Sequence, residues 1–270
     1  MAASEPTITV WAQALVSQIV AHEPFDAPWS ELSIDDAYAV QDEVRRLLEP
    51  HRGPLGGYKI AAGAKPLQEM LGIDRPLGGQ IHAGQLRVSS PGAPAIISAA
   101  DFVGVALECE VLVRMAADVP ASPTPYTRET IAPFVGELIV SFEVLDTRAA
   151  AIPALGAAGL VADRCGCEGA VLGTVTPGLE GVDVDRLGEL AVELEWNGEI
   201  VDRGVTGNAM GHPFEGLAWV ANHVAERGSQ LKAGEIVLTG AAFPPKPAAV
   251  GDNVTYRIDG LGEVSARVEA

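Results

Sequence analysis

The chain has 270 residues, of which 48% are apolar and 20% charged, and a formal net charge of −18. That length suits one large domain, or a main domain with a small addition, and the apolar content excludes a disordered chain. The acidic balance excludes the basic footprint of a nucleic-acid binder and disfavours an anionic membrane surface, so an anionic ligand would need local positive charge from a metal ion, a lysine or helix N-termini.

The opening MAASEPTITVWAQALVSQIV lacks the basic n-region of a secretory signal. No run of about 18 apolar residues predicts a membrane span. Ile8, Ala12, Leu15, Ile19 and Val20 recur at helical spacing and predict a helix over 7–21. Ser33 followed by Asp36 forms a capping-box-like start for a second helix, with Ala37, Val40, Val44, Leu47 and Leu48 on one face and Pro50 and Gly53 as its stop. Residues 1–52 therefore read as an N-terminal helical lobe. From Gly56 onward short β-like runs alternate with Gly/Pro punctuation, and Asn197-Gly198 between two of them signals a two-residue hairpin turn. The stretch 120–133 reads as a mobile surface loop. Pro213–Arg227 predicts one late helix, with Leu217, Val220, Ala221 and Val224 on one face. Regular βαβ alternation is absent, so residues 53–270 read as a mainly β domain with inserted helices, and the fold class as α+β. Cys109, Cys165 and Cys167 are too few and too irregular for a disulfide framework, which points to a reducing compartment, the cytoplasm.

Three stretches carry candidate chemistry. Ala106–Val113 reads as a strand, which puts Glu108 and Glu110 on one face about 7 Å apart. Such a pair is either a solvated face or a site for a hard cation. Glu143 lies in the apolar run Glu137–Leu145, where a carboxylate needs a metal or a basic partner, Arg148 being the nearest in sequence. Lys59 lies in a short Gly-flanked strand; near a metal its pKa would fall, suiting it to proton transfer or substrate anchoring, against a bland reading as a snorkelling surface lysine. The pair Cys165-x-Cys167 lacks the further ligands a zinc site requires. His22, His51 and His223 read as surface groups on or near helices, His82 has no visible partner, and His212 precedes the late helix as a candidate for lining a site.

In this order, the segments Gly57-Tyr58-Lys59-Ile60, Leu71-Gly72-Ile73-Asp74-Arg75-Pro76, Glu108-Cys109-Glu110, Glu143-Val144-Leu145-Asp146-Thr147-Arg148, Gly211-His212-Pro213 through Asn222, Thr239-Gly240 and Gly251-Asp252-Asn253-Val254 resemble the fumarylacetoacetate hydrolase superfamily. The resemblance is to its 2-oxopent-4-enoate hydratase and 4-oxalocrotonate decarboxylase branch and covers almost the whole chain. It implies a mainly β roll with an N-terminal helical part. It also implies a Mg²⁺ ion (or Mn²⁺) held by Glu108, Glu110 and Glu143, and a small anionic 2-oxo or 2-hydroxydienoic acid reacting through a metal-stabilised enolate. Lys59 would orient the substrate and move a proton, with Thr239, Gly240 and His212 lining the site. A homo-oligomer, or a complex with a related decarboxylase or hydratase subunit, is implied as well.

Two departures from the branch stand out. Its hydratases carry Pro-Asp-aromatic-Gly after the lysine segment, whereas this chain has Pro76-Leu77-Gly78-Gly79; its decarboxylases tend to be apolar there. Asp-Asn-x-Ser-Ser is replaced by Asp163-Arg164-Cys165-Gly166-Cys167. Leu77 and Cys167 are therefore expected at the substrate pocket. Hydration is the leading expectation, with decarboxylation, hydrolysis of a C–C bond in a 1,3-diketo acid, and an inert subunit of a hydratase–decarboxylase complex as alternatives.

Overall fold

The computed structural model describes residues 4–25, 32–150, 152–179 and 181–270. Helix α1 spans Glu5–Ala21 and α2 spans Ile34–Arg52. Ser33 caps α2 by accepting the Asp36 amide on its hydroxyl at 3.1 Å. Pro50 does not stop this helix; it sits inside the last turn, and the chain leaves the helix only at Gly53, whose φ is +77°.

The larger sheet runs in the order β2 (Leu77–His82), β1 (Leu55–Ala61), β10 (Ile236–Ala241), β5 (Val105–Met115), β6 (Val135–Asp146), β7 (Cys167–Pro177) and β3 (Leu86–Val88), with β11 (Lys246–Pro247) alongside β5. The pairs β1–β10 and β3–β7 are parallel and the remaining neighbours antiparallel. A second sheet has the order β4 (Ala95–Ser98), β13 (Gly262–Glu269), β12 (Asn253–Ile258), β8 (Ala191–Trp196) and β9 (Glu199–Val205). Asn197 and Gly198 join β8 to β9 with φ of +54° and +86°, the two left-handed residues that a tight type I′ hairpin demands.

The larger sheet has two different faces, and strand alternation sorts its residues between them. Cys109, Val111 and Val113 of β5 join Val140 and Phe142 of β6 in a core covered by the second sheet and by α6 (Pro213–Glu226), which contributes Phe214, Leu217 and Val220. The opposite face lines the inside of the curl, where Ile81, Leu112, Ile139, Cys167, Ala170 and Leu238 pack together. A third core sits over the mouth of that curl. It joins Leu15 and Ile19 of α1 and Val40, Val44 and Leu48 of α2 to Val161 of α5 (Ile152–Ala162), Leu77 and Cys165. Leu15, Ile19 and Leu48 are fully buried, each contributing roughly 1.5–3 kcal/mol of hydrophobic stabilisation.

The stretch 120–133 is anchored rather than a free loop. Asn222 of α6 accepts the Tyr126 amide at 2.7 Å and donates to its carbonyl at 2.9 Å, and a short helix, α4 (Arg128–Ile131), closes the segment. Among the described residues no helix is long and apolar enough to cross a membrane.

Candidate metal centre

Glu108 and Glu110 share the inward face of β5. The β5–β6 register sets Glu143 directly opposite Glu108 and Ser141 opposite Glu110. Each glutamate offers a carboxylate oxygen, and these oxygens lie within 4.8 Å of one another. Glu110 and Glu143 are buried, at 1% and 0% exposure, while Glu108 is half-buried. Burial, reinforced by the charges of Glu143 and Glu108, holds Glu110 well above the ordinary carboxylate range. Burial pushes Glu143 up to about 8, with Glu108 adding to the rise and Lys59 opposing it.

The lysine on β1 is the cation of this site. Lys59 Nζ lies 3.0 Å from Glu143 Oε1, and the side chain is only 3% exposed. Burial acts to lower its pKa, but the charges of Glu143 and Glu108 outweigh that and hold it well above the usual lysine value. Without an ion, a buried ammonium among carboxylates is stabilised in its charged form; a bound cation would act in the opposite direction. Lys59 reaches them because its cross-strand partner is Gly79. A Cβ at Gly79 would lie 2.9 Å from Lys59 Cγ and 2.5 Å from the Arg164 carbonyl oxygen, so a side chain there would block the lysine stem.

Other expected site residues fall in different places. The Gly240 amide donates to Glu110 Oε2 at 2.7 Å, so it holds a carboxylate of the triad. The Thr239 hydroxyl donates to the Val111 carbonyl at 2.7 Å. Among the described residues no hydrogen bond or ion pair joins His212 to the triad. It is the N-cap of α6, accepting the Phe214 amide on Nδ1 at 3.0 Å, with Nε2 at 2.7 Å from the Val184 carbonyl oxygen. Cys167 is buried on the inward face beside the Glu143 carboxylate. Leu77 shares the face of Gly79 on β2, opposite Ala61, and packs into the helical core above the curl. His223 is not a surface group; it is half-buried, stacked on Trp219 with ring centroids 4.8 Å apart, and burial lowers its pKa to about 4.

Two features escaped sequence reading. Cys165 stands beside Lys59 and Glu143, with its Sγ 3.7 Å from the Gly78 carbonyl oxygen, and burial pushes its thiol up to about 12. The second is a buried charge network around Glu168. Arg52 lies 2.5 Å and Arg164 2.8 Å from its carboxylate, and Arg148 bonds both Glu168 and Asp146. Arg148 is therefore not the partner of Glu143. Burial alone would raise Glu168, but Arg164, Arg52 and Arg148 outweigh it and bring its pKa down to about 2. Arg164 and Cys165 both adopt left-handed backbone, with φ of +55° and +57°, a strained conformation that this network holds. Only the i, i+4 spacing of Arg164 and Glu168 could have signalled it in sequence.

The triad fits a cation. Glu110 Oε1 and Glu143 Oε2 are buried with no hydrogen-bond partner among the described residues, and buried acceptors left in that state are costly. Three carboxyls crowd one ammonium at short range, so ionising all of them calls for further positive charge, which a bound cation would supply. An all-oxygen carboxylate set suits a hard divalent ion such as Mg²⁺, Mn²⁺ or Ca²⁺.

A family model described as the C-terminal part of fumarylacetoacetate (FAA) hydrolase matches residues 85–269. The 4-oxalocrotonate decarboxylase of Pseudomonas putida is 31% identical over 239 residues, covering 88% of this chain and 87% of its own. The 2-keto-4-pentenoate hydratase 1 of Dechloromonas aromatica (strain RCB) is also 31% identical, over 235 residues, covering 86% of this chain and 84% of its own. Overall identity therefore does not separate the two reactions. The solved structure of 4-oxalocrotonate decarboxylase from Pseudomonas putida G7 with magnesium and adipate matches with a TM-score of 0.88 and 26% identity, covering 98% of each chain. The same enzyme with calcium and acetate matches with a TM-score of 0.87.

Proposed function

Starting from its membership of the fumarylacetoacetate hydrolase family, which the match over residues 85–269 establishes, we propose that this chain is a divalent-metal-dependent lyase acting on a small 2-oxo or 2-hydroxydienoic acid. The observation that carries this reading is the buried triad of Glu108, Glu110 and Glu143, its carboxylate oxygens within 4.8 Å of one another, with the Lys59 ammonium 3.0 Å from Glu143. The three glutamates would hold the ion, with Mg²⁺ as our assignment, and the similar decarboxylase has been solved with magnesium or calcium. When bound, the ion supplies electrostatic stabilisation for negative charge developing on the 2-oxo oxygen.

The chain's own groups do the rest. Lys59 keeps its proton beside Glu143 and is placed to orient the acid and to deliver or accept a proton on the reacting carbon skeleton. Gly240 fixes one oxygen of Glu110, and the helical core that contains Leu77 and Cys165 closes the mouth of the curl against bulk water. The acidic chain repels anions, so Lys59 and the ion together supply the local positive field that an oxo acid needs.

Hydration, the addition of water across the diene of a 2-hydroxydienoate, is the first outcome we assign. One observation favours decarboxylation as the second. The wall beside Lys59 and Glu143 is built from the buried thiols Cys165 and Cys167, and an ordered attacking water requires about two to four polar partners. Loss of CO₂ from a distal carboxylate requires no added water. The test is a product assay with Mg²⁺ on 2-hydroxypenta-2,4-dienoate and on 4-oxalocrotonate. Ion-dependent turnover of either supports the lyase reading, and the product identifies the branch. A chain that binds Mg²⁺ at the triad and turns over neither acid would instead be the inert subunit.

A further inference from the structure

On the side of β1 and β2 turned away from the glutamates lies a second concavity of about 260 Å³. Its floor takes in Tyr58, Lys59 and residues 78–80 of β1 and β2, Lys59 being shared with the triad side, and its walls are α2 and α6. The face assignment follows from register: Lys59 and Gly79 are paired and point toward the triad, whereas Tyr58 and Gln80 are paired and point the other way. A Cβ at Gly78 would meet the His223 ring at 2.8 Å, which places α6 over this second face. None of the three glutamates lines the concavity.

Two properties set it apart from a surface dent. Gln80 is nine-tenths buried, its amide nitrogen donates to Asp42 Oδ1 at 2.7 Å, and its Oε1 has no hydrogen-bond partner among the described residues. A buried amide oxygen in that state calls for a donor. The local charge is also opposite to that of the chain. Arg45, Lys59 and Arg227 line it against the single lining carboxylate of Asp42; Arg227 contacts Asp42 at 2.8 Å, while Arg45 contacts Glu49 of its own helix at 3.1 Å, so the lining residues are net positive within a chain of net charge −18. Each guanidinium has five donors and neither is exhausted by one carboxylate. Val220 and Val224 supply an apolar wall. The volume lies just below the roughly 300–1,000 Å³ of drug-sized sites, which suits a small organic acid.

We propose that this cleft is a second binding site for a small carboxylic acid that also carries a hydroxyl or ammonium donor. The carboxylate would lie toward Arg45 and Arg227, the donor on Gln80 Oε1, and the carbon body along Val220 and Val224. The site requires no metal ion and does not depend on the lyase reading.

Titration calorimetry on metal-stripped, EDTA-treated full-length protein tests this, with 2-hydroxybutanoate and butanoate as probes. We expect 2-hydroxybutanoate to bind about tenfold more tightly than butanoate, the equivalent of one added hydrogen bond to a buried acceptor. Gln80→Leu should remove that preference, and Arg45→Gln should weaken both probes. If Gln80→Leu lowers the melting temperature enough to prevent measurement, Arg45→Gln, at a partly exposed position of α2, carries the test alone. Absence of binding up to the solubility limit overturns the proposal. So does binding that survives Gln80→Leu and Arg45→Gln but disappears in Glu143→Gln, because the acid would then occupy the triad side.

Discussion

Loading the triad with Mg²⁺ should expel protons, and the amount can be worked from the burial of its carboxylates. With Glu143 raised to about 8, that group is roughly nine-tenths protonated at pH 7 in the absence of an ion. Glu110 is held high as well. A metal-binding carboxylate must be ionised, so binding at neutral pH should release about one proton from Glu143, and Glu110, also held high, should add to that release. Apparent affinity should then rise about tenfold per pH unit for each proton released, the Glu143 share of that rise ending above about pH 8. The same shift acts on stability. A carboxyl whose folded pKa is raised ionises first in the unfolded chain, so the metal-free protein loses stability as pH rises from the ordinary glutamate range toward about 8. Bound Mg²⁺ should restore what is lost. Calorimetry of Mg²⁺ binding in two buffers of different ionisation heat counts the protons directly. Flat affinity between about pH 6 and 8.5, with heats independent of buffer, would refute the picture of a desolvated, proton-retaining triad.

Further outcomes follow from other contacts. Lys59→Ala should lower kcat by about 10²- to 10⁴-fold while leaving Mg²⁺ affinity changed far less; unaltered turnover removes Lys59 from the mechanism. Gly79→Ala places a methyl 2.5 Å from the Arg164 carbonyl oxygen and should cost about 1–3 kcal/mol of stability, read as a fall in Tm together with lost turnover. Cys167→Ser adds a hydroxyl beside Glu143 and should raise hydration relative to decarboxylation in a paired product assay. A serine at Gly166 would be a poorer probe, because φ there is +73°. Glu168→Gln removes the charge that three buried arginines share and should cost about 3–5 kcal/mol in a urea melt. The wild-type contribution of Glu168 should persist above the ordinary glutamate range and fade as pH falls toward about 2, because its folded pKa is depressed.

Much of the centre could be read from the sequence because strand periodicity is strict. Once Ala106–Val113 is a strand, Glu108 and Glu110 must share a face, and an apolar run around Glu143 leaves that carboxylate in need of a partner. The cation it found, Lys59, comes from a strand more than eighty positions earlier. That pairing follows from strand order in the sheet, which local pattern does not encode. His212 shows the opposite case. Its place before Pro213 suggested a site, yet the imidazole performs the capping task that the start of a helix imposes on whatever residue stands there. Beyond the Arg164–Glu168 spacing, the Glu168 network was hidden for the reason the Lys59 pairing was, since its arginines come from α2, from just after β6 and from the turn before β7. Pro50 misled as a helix stop: it removes one backbone hydrogen bond from the last turn of α2, yet the helix runs on to Arg52.

The core over the mouth of the curl is assembled from two distant parts of the chain, residues of α1 and α2 and residues of α5 with Cys165. Gln41 stitches them physically, donating from one amide group to the carbonyls of Gly78 and Val161. The first fifty residues therefore have no complete interior of their own. During synthesis they must wait for more than a hundred further residues to emerge before their apolar faces are covered, and a fragment ending at residue 52 would expose Val40, Val44 and Leu48 to water. Excising that segment would in turn uncover Leu77, Val161 and Cys165 on the remainder. The helical layer thus matures with the mouth of the curl as one late event, so a chain that has buried its N-terminal helices has also covered Leu77 and Cys165 at that mouth.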